Sequence, residues 1–297
     1  MRSDKFFTIY FFRFIDRFIR PKNKLRIPIL MYHSVSETDS ERRHPYYGTN
    51  TLPEIFAQQM KFLSENGYRV VSMKDALALI CRNMEHRPYA CSEEEYPPAA
   101  TTLQKVAIIT FDDGLRDFYD NAWPILKEYG FPAAMFLPTG FISHERRRLN
   151  GRECLTWREA RELSSDGVEF GAHTVSHVQL YRVDRRTAEQ EMRDAKAAIE
   201  QALGFPVLNF SYAYAFPEHD PHFVAFFRDA LVQAGYRAAV TTRIGTAAAG
   251  DDPYTLRRLP VNSHDDEELF QAKLEGAYDW LAWPQRITKR LRGGAGF

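Results

Sequence analysis

Cysteine is scarce in this chain. Its 297 residues include three, Cys81, Cys91 and Cys154, an odd number without metal-ligand spacing. A disulfide framework is thereby excluded, leaving room for one bridge at most. Excess charge of either sign is also missing. Lys plus Arg and Asp plus Glu both number 39, so nothing in the balance points to a nucleic-acid partner. No glycine-rich phosphate fingerprint follows the first strand-like run, which counts against dinucleotide binding. Nor is there a long uninterrupted apolar run. In the first twenty residues Phe6, Phe7, Tyr10, Phe11, Phe14, Ile15, Phe18 and Ile19 recur at helical spacing and form one apolar face, but Arg13, Arg17 and Arg20 break it. Such a segment is no ordinary membrane span. A small-residue cleavage site is absent as well, so a peripheral-membrane or cytoplasmic location is expected rather than free secretion. For the amphipathic basic helix expected over residues 1–24, two readings stand: membrane contact through residues 1–20, or packing on the protein's own body.

What is present is an ordinary soluble composition, 44% hydrophobic and 26% charged. The length suits one large α/β barrel or two modest domains. From residue 26 strand-like and helical runs alternate. Strands are expected at 26–33, 68–73, 105–111, 133–138, 168–173 and near 208–212, 237–242 and 256–261. Helices are expected over 52–67, 74–84, near 117–129 and 156–165, over much of 184–203, and between the strands near 208–212 and 237–242. Residues 85–104, rich in Pro, Ala and acids, read as a loop insertion, and 276–297 as a basic tail. The pattern predicts a single α/β domain over 25–275, a distorted (β/α) parallel barrel of about seven strands, with an open doubly wound sheet as the competitor.

Chemistry in a barrel gathers at the C-terminal strand ends, and there the sequence places His33, Asp112, Asp113 and His173. "KVAIITFDDGLRD" (105–117) sets two carboxylates side by side as a strand stops. Read alone, the pair is equally a helix cap with an acidic first turn. "HTVSH" spaces His173 and His177 four apart, which on one helical turn puts both imidazoles on one side. One aspartate with two histidines makes a three-ligand site with open positions, suited to a catalytic divalent ion. The second aspartate is then free to take a proton from the attacking water.

"TFDDG" (110–114) and "HTVSH" (173–177) resemble the first two motifs of the polysaccharide deacetylases, the NodB-homology or carbohydrate esterase family 4 group. The resemblance extends to "PILMYHSV", "FAQQMKFLSENGYRVVSM" and "PILKEYGFPAAMFLPTGFI", stretches similar to the poly-N-acetylglucosamine deacetylase branch. It implies a distorted barrel and metal-dependent removal of N-acetyl groups, less often O-acetyl, from a bacterial surface or envelope glycan. It makes Asp112 the general base and Asp113, His173 and His177 the ligands of one divalent ion, zinc before cobalt, nickel or iron. A catalytically silent glycan binder, or a deacetylase of a lipid- or nucleotide-linked sugar, is the alternative.

Two departures from the family pattern follow. The stretch matching an Arg-Pro-Pro-Tyr-Gly-like motif is "FSYAYA" (210–215), with Ser211 in the arginine position. Tyr214 still matches, and its backbone N–H is the candidate oxyanion donor. Arg258 in "RRLPV" is the candidate substitute for the lost arginine, against the plainer reading of a surface or salt-bridge residue. The late Leu-x-Leu-x-His-like motif is also missing. The resemblance to the branch that opens with "MYH", where that strand is permuted to the start, makes His33 the favoured general acid, with His264 in "VNSHDD" its rival and a structural histidine the plainer reading. Trp157, Trp280 and Trp283 are weighed as sugar-stacking aromatics, with core packing preferred for Trp157.

Overall fold

The computed structural model describes residues 2–15, 25–37, 48–81 and 105–293; the expected insertion at 85–104 and Cys91 lie outside the described residues. Seven parallel strands form a closed barrel: β1 (Ile29–Tyr32), β2 (Val106–Phe111), β3 (Ala134–Leu137), β4 (Glu169–Ala172), β5 (Asn209–Ser211), β6 (Ala238–Ile244) and β7 (Leu256–Pro260). Chain neighbours are barrel neighbours, and β1 closes the ring by pairing with both β7 and β2.

Alternation along these strands decides what fills the barrel and what stands at its rim. Ile29, Ile108, Ala134, Phe136, Ala238, Val240 and Leu256 pack together in one apolar cluster inside it. Gly171 on β4 makes room for this filling, because a Cβ there would meet the Phe136 ring at 2.5 Å and the Asn209 carbonyl oxygen at 2.8 Å. The opposite parity, including Leu30, Tyr32, Ile109, Phe111 and Phe210, packs outward under the helices. Continuing the inward parity upward reaches His33, Thr110, Asp112, His173, Ser211 and Arg258.

Outside the barrel run helices Pro53–Glu65, Trp123–Glu128, Trp157–Ser165, Arg185–Leu203, Pro221–Gln233 and Glu267–Leu274. Their starts follow local chemistry. Thr156 and Glu159 form a reciprocal capping box, and Asp184, Asp220 and Asp266 each accept first-turn backbone N–H groups.

Three segments differ from the sequence reading. The strand expected over 68–73 is only Arg69–Val70, an extra strand beside β2. Ser72 accepts the Asp75 N–H and so starts helix Met73–Ile80, whose Met73, Ala76, Leu77 and Ile80 join the interior cluster and plug the barrel floor. Pro28 divides the first strand, leaving Arg26–Ile27 to pair antiparallel with Ala247–Ala248. The expected C-terminal tail contains a helix, Ala282–Gly293, anchored where Gln285 donates to the Thr242 carbonyl and accepts the Ile244 N–H. Cys81 is disulfide-bonded, whereas Cys154 is free and buried.

Candidate active site

The centre of the rim is an ion pair. Asp112 is 2% exposed and Arg258, from β7, is 1% exposed. The guanidinium grips the carboxylate with two bonds, Nη1 to Oδ1 at 2.8 Å and Nη2 to Oδ2 at 2.6 Å. Its remaining donors reach Thr110 Oγ1 (3.3 Å), Ser211 Oγ (3.0 Å) and the Thr241 carbonyl (3.1 Å). All five N–H donors are thus satisfied, the condition under which a buried guanidinium is tolerable. Ser211 Oγ also lies 3.1 Å from Asp112 Oδ1. Ser211, which the resemblance sets at the arginine position of the third motif, therefore stands beside a guanidinium arriving from β7, two strands along the barrel. Burial works to raise the Asp112 carboxyl, but the charges of Arg258 and His173 and the Arg258 hydrogen bonds outweigh it and hold the group at about 2.

Next to this pair lies the second cluster. The chain turns at Asp113 with φ of 73°, so adjacent aspartates enter one pocket from different directions. Asp113 Oδ1 lies 3.1 Å from His177 Nε2 and 3.6 Å from His173 Nε2. His173 Nδ1 is 2.8 Å from the Ser211 carbonyl, to which it donates as Nδ1–H, and His177 Nδ1 is 3.1 Å from Tyr214 Oη. Thr174, His177 and Tyr214 also have φ between 55° and 64°. Left-handed backbone at four non-glycine positions around one cluster costs on the order of 1–2 kcal/mol each.

The donor set fits a metal ion. One oxygen and two nitrogens lie within 4.8 Å of one another. Asp113 Oδ1 is buried without a hydrogen-bond partner, and His173, bonded through Nδ1, turns its Nε2 toward it. Against the opposing effect of burial, the two aspartates raise the His173 imidazole, and the two imidazoles hold Asp113 well below the carboxylate range. The pocket attracts positive charge.

The expected helical turn across "HTVSH" is not what brings the histidines together. Residues 173–177 form a loop, held from below by Glu191 on helix Arg185–Leu203. Its Oε2 accepts from the Val175 and Ser176 N–H groups at 2.7 and 2.9 Å, and its Oε1 from Ser176 Oγ at 2.7 Å. Glu191 was not singled out in the sequence because its partners lie about four helical turns away along the chain.

His33, just beyond β1, has Nε2 4.0 Å from Asp112 Oδ2 and a side chain 20% exposed. Burial pushes its imidazole below the ordinary value, against the pull of Asp113 and Asp112. Asp117 ties this strand end to β2 by accepting from Ser34 Oγ at 2.6 Å and the Val35 N–H at 3.2 Å. Tyr214 is 51% exposed, and its carbonyl accepts from Thr242 Oγ1 at 2.7 Å. His264 is exposed on the turn after β7. Trp157 packs partly buried against the core. Trp280 and Trp283 line a groove with Phe12 that includes none of the rim residues.

Fold and rim define a class, a parallel (β/α) barrel with its polar cluster where such barrels do chemistry. The family model described as "Polysaccharide deacetylase" matches residues 99–239. YxkH of Bacillus subtilis (strain 168), named for the same family, is 27% identical over 257 residues, covering 86% of this chain and 79% of that one. The poly-beta-1,6-N-acetyl-D-glucosamine N-deacetylase of Escherichia coli (strain K12) is 28% identical over 155 residues, 49% of this chain and 20% of that protein. The solved Streptococcus pyogenes deacetylase PplD, in complex with acetate, superposes with a TM-score of 0.66 at 24% identity, covering 84% of this chain and 99% of that one. That last likeness speaks for the fold. The chain is thus similar to the polysaccharide deacetylases, over residues 99–239 by the family model and over most of its length by YxkH.

Proposed function

We propose that this protein is a divalent-metal-dependent hydrolase that removes N-acetyl groups from N-acetylglucosamine-type sugars of a bacterial surface glycan. The observation that carries the reading is the division of labour between the adjacent aspartates. Arg258 and Ser211 immobilise Asp112 as an ionised carboxylate, while Asp113 turns away to converge with two imidazoles. A binding module has no use for a fixed free base beside a cation site. The Escherichia coli relative's name supplies the substrate class.

Asp113, His173 and His177 would hold the ion. Bound there, it would polarise the acetyl carbonyl and acidify the attacking water, which makes a base as weak as Asp112 sufficient. Asp112 takes the water's proton, and the bidentate guanidinium keeps its oxygens in place for the transfer. The Tyr214 N–H is the donor to the developing oxyanion. His33 stands across from Asp112 to protonate the departing amine. The acyl group leaves as acetate and the sugar keeps a free amine.

The test is acetate release from N-acetylglucosamine oligomers by protein stripped with a chelator and reloaded with zinc. Activity should vanish on stripping and return with metal. Asp112→Asn should keep the ion and lose roughly 10²–10⁴-fold in turnover. Release indifferent to both the chelator and Asp113→Ala would refute the reading.

A further inference from the structure

The N-terminal helix, Ser3–Phe7 continued by a π-helical turn Thr8–Phe12, is mounted with its polar side inward. Asp4 and Thr8 are 7% and 0% exposed. Asp4 accepts from Tyr278 Oη at 2.7 Å, and Thr8 Oγ1 from Trp280 Nε1 at 2.9 Å. Phe6, Phe7, Tyr10, Phe11 and Phe14 point outward and are 45–65% exposed. A helix that served only to cover the core would show the reverse pattern. Ion pairs fix the orientation: Arg2 meets Asp265, Lys5 meets Asp266 and Arg13 meets Glu275. These contacts follow helix Glu267–Leu274 down the flank of the barrel.

The C-terminal helix extends the same face with Trp283, 76% exposed, and Ile287, 47% exposed. The two ends of the chain meet where Phe12 stacks on Trp280 at 4.6 Å. Between them opens a groove of ≈ 850 Å³ whose lining includes Phe12, Trp280, Trp283, Ile287, Arg26 and Arg257.

Charge identifies the occupant. In sequence, residues 1–24 carry seven Lys or Arg against two Asp, and residues 283–297 carry four and no acid, in a chain of formal net charge zero. Among the described residues Arg2, Lys5 and Arg13 are paired with Asp265, Asp266 and Glu275 and Lys289 with Glu218, while Arg26 and Arg257 line the groove and Arg286 is exposed on the C-terminal helix. A second copy of this chain would set like charge against like, whereas an anionic lipid surface satisfies both the aromatics and the basic residues. We infer that the joined terminal helices seat the protein on an anionic bilayer, with Phe6, Phe7, Tyr10, Phe11 and Trp283 entering the headgroup boundary. The groove and the catalytic rim share no residue. This inference is independent of the metal chemistry.

The experiment is co-sedimentation of the full chain with phosphatidylcholine vesicles, with and without phosphatidylglycerol, beside analytical ultracentrifugation without lipid. Binding should need the anionic lipid and weaken with salt. Phe11→Ser and Trp283→Ser should each reduce it by about tenfold, the order expected for withdrawing a half-buried aromatic from the interface. Both variants should keep the circular dichroism spectrum and acetate release from a soluble oligomer. Arg286→Glu should weaken binding without altering any apolar contact. Equal binding to neutral vesicles, wild-type binding by all three variants, or lipid-independent self-association that Phe11→Ser abolishes would each overturn the inference.

Discussion

Arg258 occupies a barrel lining that is otherwise largely apolar, and its partner Asp112 has exchanged water for that guanidinium. Replacing it with methionine keeps volume but strands the carboxylate. Loss of one partner of a buried pair costs about 3–5 kcal/mol. Asp112 is held near 2 against a usual 3.8, so its stabilisation is full above pH 3.8 and fades as pH falls through 2. Arg258→Met should therefore destabilise the protein at neutral pH, less so in strong acid, and move the acidic limb of kcat/KM to higher pH. Urea titrations and a pH–rate profile check both, and an unmoved limb would show that Asp112 is oriented by something else. At the same scale, His33→Ala should lower kcat, leave metal content intact and flatten the basic limb, whereas His264→Ala should do little. The reverse pattern would pass the general-acid role to His264. The aspartates and histidines stood out in the sequence because charged and imidazole side chains at apolar strand ends are conspicuous. Ser211 stood out only as a departure from the motif arginine, since a serine announces no partner, and its contact with Arg258 depends on two strands 47 positions apart.

Elements were legible where a local pattern determined them. The apolar runs at β2, β3 and β4 and the periodic stretches at Trp157–Ser165 and Arg185–Leu203 lie within a residue or two of the sequence reading. The "HTVSH" segment was misread as a helical turn because a four-residue spacing fits a helix and a tight loop equally well. What decides between them is Glu191, whose carboxylate satisfies the loop's backbone donors. Glu191→Ala should leave those donors unpaired and let His177 drift. Metal affinity should fall by about 10–100-fold, the usual effect of losing a group that orients a ligand. Isothermal titration with zinc measures it, and circular dichroism should be unchanged. Affinity equal to wild type would mean that the strained backbone at Thr174 and His177 holds the loop unaided.

At the scale of the molecule, the sequence left an open sheet and a closed barrel both standing, because strands covered on both faces read alike in either. Closure depends on β1 finding β7, a pairing of residues more than two hundred positions apart that no local pattern reports. Closure also assembles the site, since His33, Asp112, His173, Ser211 and Arg258 come from five different strands or their ends. An ion held by Asp113, His173 and His177 joins the end of β2 to the loop after β4, so it should bind the folded barrel and not the unfolded chain. Free zinc at a hundredfold above Kd would then add about 2.7 kcal/mol of stability. In a chain of this size that raises Tm by roughly 4 °C. His177→Ala should melt at the same temperature with zinc or with chelator, while His264→Ala should keep the full shift. Scanning calorimetry reads the difference directly. A shift of the same size in Asp113→Ala would place the stabilising ion somewhere other than the catalytic rim.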